Sequence, residues 1–494
     1  MPALSADYVI VGGGSAGCAL AARLSEDPSV SVLLLEAGGR GRHPNIAIPA
    51  AFAKQFKTRL DWDFTTEPEP HCAGRGLYIP RGRGLGGSSA MNAMIYVRGR
   101  PSDYDGWGVP GWTWEDVLPC FERSGLVVSE QRSPRRLTGR WIAAVQAAGV
   151  ADEVAPTRLT QRNGRRWSAH DAYLRPVLRR PNLTVRTGAQ ALGLELAGGR
   201  AVGVRLRRGG VARAGREVIL AAGAIGSPQL LMLSGIGPAE HLRDVGVPVA
   251  VDAPGVGANL QDHPFVAQVW ESRVGESLYD AERPRFLAEW LLRRSGPLTS
   301  PVAEAIAFVR SREGLPAPDL QYHFAPAYYV DHGFAEYDGH AFSFGPVLIA
   351  PRSRGVLRLR SADPAAKPRI LTNSLAEPDD LAALVAGVRL SREIARREPL
   401  AQAAGRELLP GPEVGDDDAA LGDEVRRRVE LLYHPVGTCR MGVDDDAVVD
   451  ERLRVRGVEG LRVADASIMP VIPRGNTNAP TVMVAERAAE LVPG

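Results

Sequence analysis

The chain has 494 residues, of which 45% are hydrophobic and 23% are charged, as in an ordinary soluble globular protein of two or three domains. Its 59 basic and 57 acidic residues nearly balance and the arginines are scattered, so we expect no nucleic-acid partner. No apolar run reaches about 18 residues, so no transmembrane segment is expected. The four cysteines lack metal-site spacing, and no basic segment precedes the first apolar run. We therefore expect no metal and a cytoplasmic location, with peripheral membrane attachment as the alternative.

The N-terminus predicts a strand, a glycine turn, a helix and a second strand. Residues 8–11 are apolar and lead into Gly12-x-Gly14-x-x-Gly17 and an alanine-rich helix over residues 16–24; an apolar strand over residues 30–35 ends at Glu36. In such a unit the first glycine permits a tight turn, the second lets a pyrophosphate approach, and the third lets helix and strand pack closely. The helix N-terminus attracts phosphate, and an acid about 20 residues further on accepts a ribose hydroxyl. The unit predicts a dinucleotide site that includes Ser15 and Ala16, with an ordinary βαβ turn as the alternative.

Later segments predict two kinds of layer. Residues 217–223 and 461–465 predict buried strands, followed by helices over residues 227–233 and 476–491. Residues 183–185 and 201–207 alternate apolar and polar side chains, which predicts hairpin or meander strands. From about residue 265 to residue 433, short strands accompany helices over residues 286–293 and 378–396. This second region predicts an antiparallel sheet with helices on one side.

Several motifs together resemble the glucose–methanol–choline (GMC) oxidoreductase family of flavoproteins. Residues 82–92 and 223–237 resemble its two signatures, and residues 434–439, 463–470 and 476–478 resemble its C-terminal active-site region. The resemblance implies FAD and a discontinuous, doubly wound α/β FAD-binding domain, which we assign to residues 1–155, 181–264 and 434–494. It also implies an α+β substrate-binding domain with an antiparallel sheet, which we assign to residues 156–180 and 265–433.

The resemblance also implies which other residues contact the cofactor. They are Gly84, Gly87, Ser88, Asn92, Ala93, Ala222, Gly223, Asp465, Ala466, Asn476 and Thr477. Asp465 has the alternative role of capping a turn. Met91 stands where some relatives carry the histidine that binds flavin covalently, so we expect non-covalent FAD.

Alcohol oxidation by a flavin needs a base within about 2.6–3.2 Å of the hydroxyl oxygen. The family's histidine corresponds to His434, whereas His263, next to Asp262, suits a backbone-organising role. Asn478 corresponds to the second active-site position, and its alternative role is to cap the last helix. Cys439 lies close to His434 in sequence, and we expect it to pack rather than to act as a nucleophile.

The substrate is less well defined by the sequence. Glu304 matches the carboxylate that holds the cation in choline-oxidising relatives, but Val302 and Ala303 stand where aromatic residues of a cage are expected. We therefore expect an uncharged primary alcohol, aliphatic or aromatic, with oxygen, a quinone or another carrier as electron acceptor. Choline oxidation, a lyase or decarboxylase activity on the same fold, and a non-catalytic FAD-binding protein are the alternatives. The expected pocket residues are Glu304, Val302, Phe324, Tyr328 and Tyr433.

Overall fold

A computed structural model gives the fold and describes residues 4–492. The β-strands, in chain order, are β1 (Leu4–Val11), β2 (Val32–Glu36), β3 (Phe64–Thr65), β4 (Tyr78–Ile79), β5 (Ala151–Pro156), β6 (Gln161–Arg162), β7 (Arg165–Arg166), β8 (Leu183–Thr187), β9 (Ala191–Ala197), β10 (Arg200–Leu206), β11 (Val211–Leu220), β12 (Ile236–Gly237), β13 (Val251–Asp252), β14 (Pro264–Phe265), β15 (Gln268–Ser272), β16 (Ala305–Val309), β17 (Leu320–Phe324), β18 (Ala341–Phe344), β19 (Pro346–Leu348), β20 (Val356–Arg358), β21 (Arg369–Leu371), β22 (Ala404–Leu409), β23 (Glu430–Leu431) and β24 (Leu461–Val463). The α-helices are α1 (Ser15–Leu24), α2 (Pro44–Ala47), α3 (Pro101–Asp105), α4 (Trp114–Glu122), α5 (Arg136–Ala148), α6 (Arg175–Val177), α7 (Gly223–Leu233), α8 (Ala239–Asp244), α9 (Pro284–Arg293), α10 (Pro378–Ala395), α11 (Asp418–Arg428) and α12 (Asn478–Leu491).

The first domain is organised around a seven-stranded sheet. Its order is β8-β2-β1-β11-β10-β9, and β24 pairs in parallel with the C-terminal half of β11. The central strands β2, β1 and β11 are parallel. Apart from Glu36, β2 and the C-terminal ends of β1 and β11 are apolar and buried, as expected of strands covered on both faces. Helix α1 packs against α12, so the two ends of the described chain meet beside this sheet.

The expected hairpin assignment of residues 183–185 is wrong. Strand β8 pairs in parallel with β2, from Leu183 opposite Val32 to Thr187 opposite Glu36. The hairpin in this region joins β9 to β10. An edge strand with one exposed face alternates apolar and polar residues just as a hairpin strand does, so the pattern alone could not separate the two.

The second domain contains the expected antiparallel layer. A six-stranded sheet runs β23-β14-β19-β17-β16-β5, and β15 lies between β18 and β22 in a three-stranded sheet. Helix α5 covers the larger sheet through Trp141, whose ring stacks on Phe324 of β17 at 5.4 Å between centroids. Helix α10 packs against β19.

Two predicted domain boundaries need correction. The boundary at residue 155 cuts through β5, which pairs with β16 of the second domain, and α5 belongs with the same sheet. Conversely, the segment around Tyr173 packs on the first domain, because the Tyr173 hydroxyl donates to Glu486 of α12 at 2.6 Å. Residues 1–3 and 493–494 of the predicted first domain lie outside the described residues.

The glycine turn after β1 has the geometry that the sequence predicts. Gly12 has φ +106°, in the region that glycine adopts readily. A Cβ atom on Gly17 would lie 1.8 Å from the Gly12 carbonyl oxygen, so helix and turn can approach this closely only with glycine there. Within residues 4–492, no helix is both long enough and apolar enough to cross a membrane.

Candidate active site

A cavity of about 540 Å³ runs from the glycine turn after β1 to the loop at residue 434. Most of the predicted cofactor residues lie on its wall: Gly12, Gly14, Ser15, Ala16, Glu36, Gly87, Ser88, Asn92, Ala93, Ala222, Gly223, Asp465, Ala466, Asn476 and Thr477. Two do not. Gly17 lies behind the turn against Gly12, and the backbone of Gly84 pairs with that of Gly39. Both shape the wall without forming its surface.

The glycine end of the cavity suits a phosphate. Helix α1 begins after Gly14, and no side chain caps its first turn, so its N–H groups remain available to an anion. Gly87 has φ +50°, and a Cβ atom on it would lie 2.7 Å from the Gly14 Cα atom. The two backbone segments therefore form a smooth cradle that side chains would fill.

Glu36 lies next to this cradle with its carboxylate already oriented. It accepts hydrogen bonds from the backbone N–H groups of Gly13 at 2.8 Å and Gly38 at 2.6 Å. Burial raises the pKa of Glu36, and these N–H groups oppose the rise. A ribose hydroxyl can donate to the remaining lone pairs, so the cradle and Glu36 together fit FAD.

Asp465 organises the opposite wall. It accepts from the backbone N–H of Gly223 at 2.8 Å, from the Ser227 hydroxyl at 2.6 Å and from the backbone N–H of Ser467 at 2.8 Å. The turn-capping role is therefore present. The same carboxylate also ties the end of β24 to the start of α7, which shapes the cavity there.

His434 is held by three neighbours at the other end of the cavity. Its backbone N–H donates to Asp262 Oδ1 at 2.7 Å, and its Nδ1 lies 3.0 Å from Nδ1 of His263. Its Nε2 lies 3.3 Å from Nδ2 of Asn476. Burial and the nearby His263, His323 and Arg81 lower the pKa of His434 well below its ordinary value. The imidazole is therefore neutral near pH 7.

These contacts favour one tautomer of His434. An amide nitrogen such as Asn476 Nδ2 can only donate, so Nε2 of His434 accepts and its proton resides on Nδ1. That Nδ1–H then donates to Nδ1 of His263. The lone pair on Nε2, on the cavity side, is the one that can accept a proton.

His263 and Asp262 form the support behind this imidazole. His263 is fully buried and does not line the cavity, and burial lowers its pKa to about 3. Asp262 accepts from the backbone N–H groups of both histidines, at 2.8 Å from His263 and 2.7 Å from His434. Burial raises the pKa of Asp262 to about 7, although these N–H groups and Arg81 oppose the rise.

Asn478 lines the same cavity as His434, and its catalytic role stays a prediction. Its Oδ1 accepts from the Ser15 hydroxyl at 2.9 Å, at the glycine end, while Thr477 occupies the N-cap position of α12. The side chain beside His434 is that of Asn476, which the sequence assigned to the cofactor. The two asparagines point apart because Asn476 lies in the loop before α12 and Asn478 in its first turn.

A histidine of the site escaped the sequence analysis. His323 of β17 lines the cavity next to Asn476. Burial lowers its pKa to about 4, against a smaller opposing effect of the Asn476 side chain. The available signal was a histidine within a short, mostly buried strand, which is more often a core residue.

Aromatic and apolar side chains form the wall next to His434. The Phe56 and Tyr433 rings meet edge to face at 5.8 Å between centroids, and Phe52 lies 6.1 Å from Tyr329. Tyr433 has φ +66°, and Arg81 donates to its carbonyl oxygen, so the backbone next to His434 is held in a strained conformation. The wall, which we call the aromatic wall, consists of Phe52, Phe56, Met91, Val302, Tyr329 and Tyr433.

Three expected pocket residues lie away from the cavity. Glu304 is fully buried and accepts from the Thr138 hydroxyl at 2.6 Å, the Ser300 hydroxyl at 2.7 Å and the Arg135 backbone N–H at 2.7 Å. Phe324 packs in the core beside Trp141, and Tyr328 stacks on Tyr337 at 5.2 Å. Tyr329 occupies the wall instead of Tyr328, and among residues 4–492 the residues packed together in the aromatic wall include no carboxylate.

Cys439 has no nucleophilic environment. It is fully buried, its backbone N–H donates to the Ser467 carbonyl, and burial raises the pKa of its thiol well above the ordinary value. Its position suits packing beneath the cavity.

Comparison with known proteins decides the family. Residues 6–265 match the N-terminal model of the GMC oxidoreductases and residues 351–485 match the C-terminal model. The chain belongs to the GMC oxidoreductase family. It is an FAD-dependent oxidoreductase of the class that acts on CH–OH groups of alcohols and related compounds.

Relatives of this GMC oxidoreductase match over nearly their whole length. It is 47% identical to an uncharacterised GMC-type oxidoreductase of Mycobacterium bovis, covering 98% of this chain and 99% of the relative. It is 43% identical to an oxygen-dependent choline dehydrogenase of Brucella canis, covering 99% and 96%. The crystal structure of pyridoxine 4-oxidase from Mesorbium loti is 34% identical, with a TM-score of 0.88 and 98% of each chain covered.

Proposed function

We propose that this GMC oxidoreductase oxidises an uncharged primary alcohol, preferentially an aromatic one, to the aldehyde. The observation that carries the proposal is a neutral imidazole, His434, whose Nε2 lies 3.3 Å from Asn476 Nδ2 in the cavity that the aromatic wall lines. FAD, when bound, supplies the acceptor for the hydride that leaves the alcohol carbon. The chain's own residues supply the proton acceptor and the orientation of the substrate.

The proton goes to Nε2 of His434. Asn476 Nδ2 contacts that atom at 3.3 Å, so a hydroxyl that displaces this contact can donate its hydrogen to the imidazole and accept from the amide. As the proton leaves, the amide N–H stabilises the growing negative charge on the oxygen. His263 accepts from Nδ1–H throughout and holds the ring in one orientation.

The charge around the cavity supports an uncharged substrate. The carboxylates on the wall, within the described part of the chain, are Glu36, Asp61 and Asp465. Asp61 already accepts from the Tyr78 hydroxyl and from the backbone N–H groups of Lys57, Asp63 and Arg81. A quaternary ammonium ion would lose its water without gaining a free carboxylate. A flat ring would instead bury its apolar surface against the aromatic wall.

Non-covalent attachment of FAD belongs to the same proposal. Met91 is buried on the cavity wall at the position where some relatives carry a covalently linked histidine, and its thioether forms no such bond.

Choline is the second candidate substrate, because the aromatic wall offers cation–π contacts and a choline dehydrogenase is 43% identical.

Anaerobic mixing of the holoenzyme with separate alcohols tests the proposal. We expect benzyl alcohol to bleach the oxidised-flavin absorbance, 1-hexanol to do so more slowly, and choline to be slower still. If choline bleached the flavin fastest, choline would replace an uncharged alcohol as the proposed substrate. No bleaching by any alcohol would contradict alcohol oxidation and favour a lyase or decarboxylase. Flavin remaining with acid-precipitated protein would contradict non-covalent binding.

A further inference from the structure

Helix α9 carries an apolar stripe that faces solvent. Pro284, Leu287, Ala288, Leu291 and Leu292 recur at the spacing of one helix face, and all five are exposed. Leu287, Leu291 and Leu292 are 43%, 55% and 84% exposed. An amphipathic helix normally turns this face to the core, and a contiguous exposed apolar face marks an interaction surface.

The helix is anchored by its other side. Trp290 is buried, and its Nε1–H donates to the Gly164 carbonyl oxygen at 2.9 Å. Gly164 joins β6 to β7, so this small hairpin lies beside the C-terminal half of α9. The apolar stripe is therefore held outward by packing on the opposite face.

Exposed arginines lie on α9 and on the neighbouring hairpin. Arg285 and Arg293 are exposed on α9, and Arg162 and Arg165 are exposed on the adjoining hairpin. Among residues 4–492, none of these four forms an ion pair with a carboxylate. Of the acids in this segment, Asp280 pairs with Arg283 at 2.6 Å and Glu282 with Lys54 at 2.7 Å, whereas Glu289 of α9 accepts from the Ser295 hydroxyl at 2.8 Å and is outnumbered by the four arginines. The surface around the stripe is therefore positively charged.

An ion pair links the start of α9 to the segment that carries part of the aromatic wall. The Glu282–Lys54 pair joins the start of α9 to the segment that carries Phe52 and Phe56. After α9 the chain reaches Pro301, Val302 and Ala303, which line the cavity. A surface that binds α9 would therefore lie near the substrate end of the cavity.

We propose that α9 docks this enzyme on the surface of an anionic lipid bilayer. Leucines at the headgroup boundary with arginines beside them are the composition of an interfacial helix, and long arginine side chains reach anionic headgroups while the apolar face is buried. A second copy fits this surface less well. A two-fold symmetric contact would bring the same unpaired arginines of both copies together.

Co-sedimentation of the holoenzyme with vesicles tests this docking surface without reference to activity. The vesicles contain phosphatidylcholine with about 30% phosphatidylglycerol, and pure phosphatidylcholine vesicles serve as the neutral comparison. We expect binding to the anionic vesicles that weakens as salt is added. The triple variant Leu287→Ser/Leu291→Ser/Leu292→Ser should bind at least roughly tenfold more weakly.

Two further variants separate the contribution of the arginines from the effect of removing any exposed leucine. Arg285→Gln/Arg293→Gln should weaken binding by about fivefold per arginine. Leu178→Ser removes a leucine that is 43% exposed elsewhere and should change nothing. Retained flavin absorbance verifies that each variant is folded.

Three results would contradict the proposal. Wild-type protein that stays in the supernatant, or a triple variant that binds as well as wild type, would overturn it. A wild-type dimer in sedimentation velocity that the triple variant abolishes would assign the stripe to a second copy and overturn it as well.

Discussion

Two asparagines separated by one residue have different neighbours in this protein. Asn476 lies 3.3 Å from the imidazole nitrogen that can accept a proton, and Asn478 bonds the Ser15 hydroxyl at 2.9 Å beside the glycine turn. Their substitution should therefore affect different steps. We expect substitution of Asn476 to affect the chemistry at the alcohol and substitution of Asn478 to affect the retention of FAD.

Asn476→Ala should lower the rate constant of flavin reduction by roughly tenfold or more, because the substrate oxygen loses its amide donor. Asn478→Ala is the matched control. It should leave that rate constant nearly unchanged and raise the dissociation constant of FAD by about fivefold, the effect of one lost hydrogen bond. Anaerobic stopped-flow absorbance and FAD titration of the apoprotein measure the two quantities. The opposite assignment of effects would return the catalytic role to Asn478.

The stability of the folded chain depends on pH through Asp262, whose carboxyl accepts from the His434 backbone. Its pKa in the folded chain is about 7, above the ordinary value of 3.8, because burial disfavours the charge. Between pH 4 and pH 7 the folded chain therefore keeps a proton that the unfolded chain loses. This contribution to stability is complete below about pH 4 and declines by up to about 1.4 kcal/mol per pH unit as the pH rises to 7.

Asp262→Asn should remove this decline. The amide oxygen still accepts from the backbone N–H groups of His263 and His434, but the side chain no longer titrates. We expect the melting temperature of the variant, relative to wild type, to rise from pH 4 to pH 8, with Asp423→Asn on the surface as control. Wild type and variant with parallel pH profiles would contradict the raised pKa.

At the scale of elements, local sequence was sufficient to predict a helix or a strand where the structure of that segment depends on its own residues. The apolar run, the glycine turn and the alanine-rich helix at the N-terminus form β1 and α1 as predicted, and the glycines have the predicted geometric roles. The closing helix α12 and the antiparallel layer of the second domain were also predictable. Hydrophobic periodicity carries that information.

The direction in which a side chain points could not be predicted from local sequence. Glu304 matches a substrate-binding carboxylate by sequence position, yet its buried contacts come from residues 135, 138 and 300. Phe52 and Phe56 lie in a segment without clear helix or strand signals, and they form the aromatic wall only because residues 329 and 433 are brought against them. Such assignments depend on tertiary contacts that no local pattern encodes.

At the scale of the whole molecule, the cavity depends on both domains. The first domain supplies the glycine cradle and Glu36, the second supplies His323 and Val302, and the C-terminal segments return to supply His434 and Asn476. Strand β5 and helix α5 cross from one domain to the other earlier than predicted. His434, the aromatic wall and the glycine cradle therefore share one cavity although their residues are far apart in sequence.

The most direct test of this arrangement is the rate of flavin reduction in His434→Ala, measured anaerobically by stopped flow with the alcohol that reduces wild type fastest. We expect a rate constant lower by roughly a hundredfold or more while FAD stays bound, because the alcohol loses its proton acceptor. His71→Ala, an exposed histidine elsewhere, should match wild type. A His434→Ala rate constant within about threefold of wild type would remove His434 from the chemistry and contradict the account.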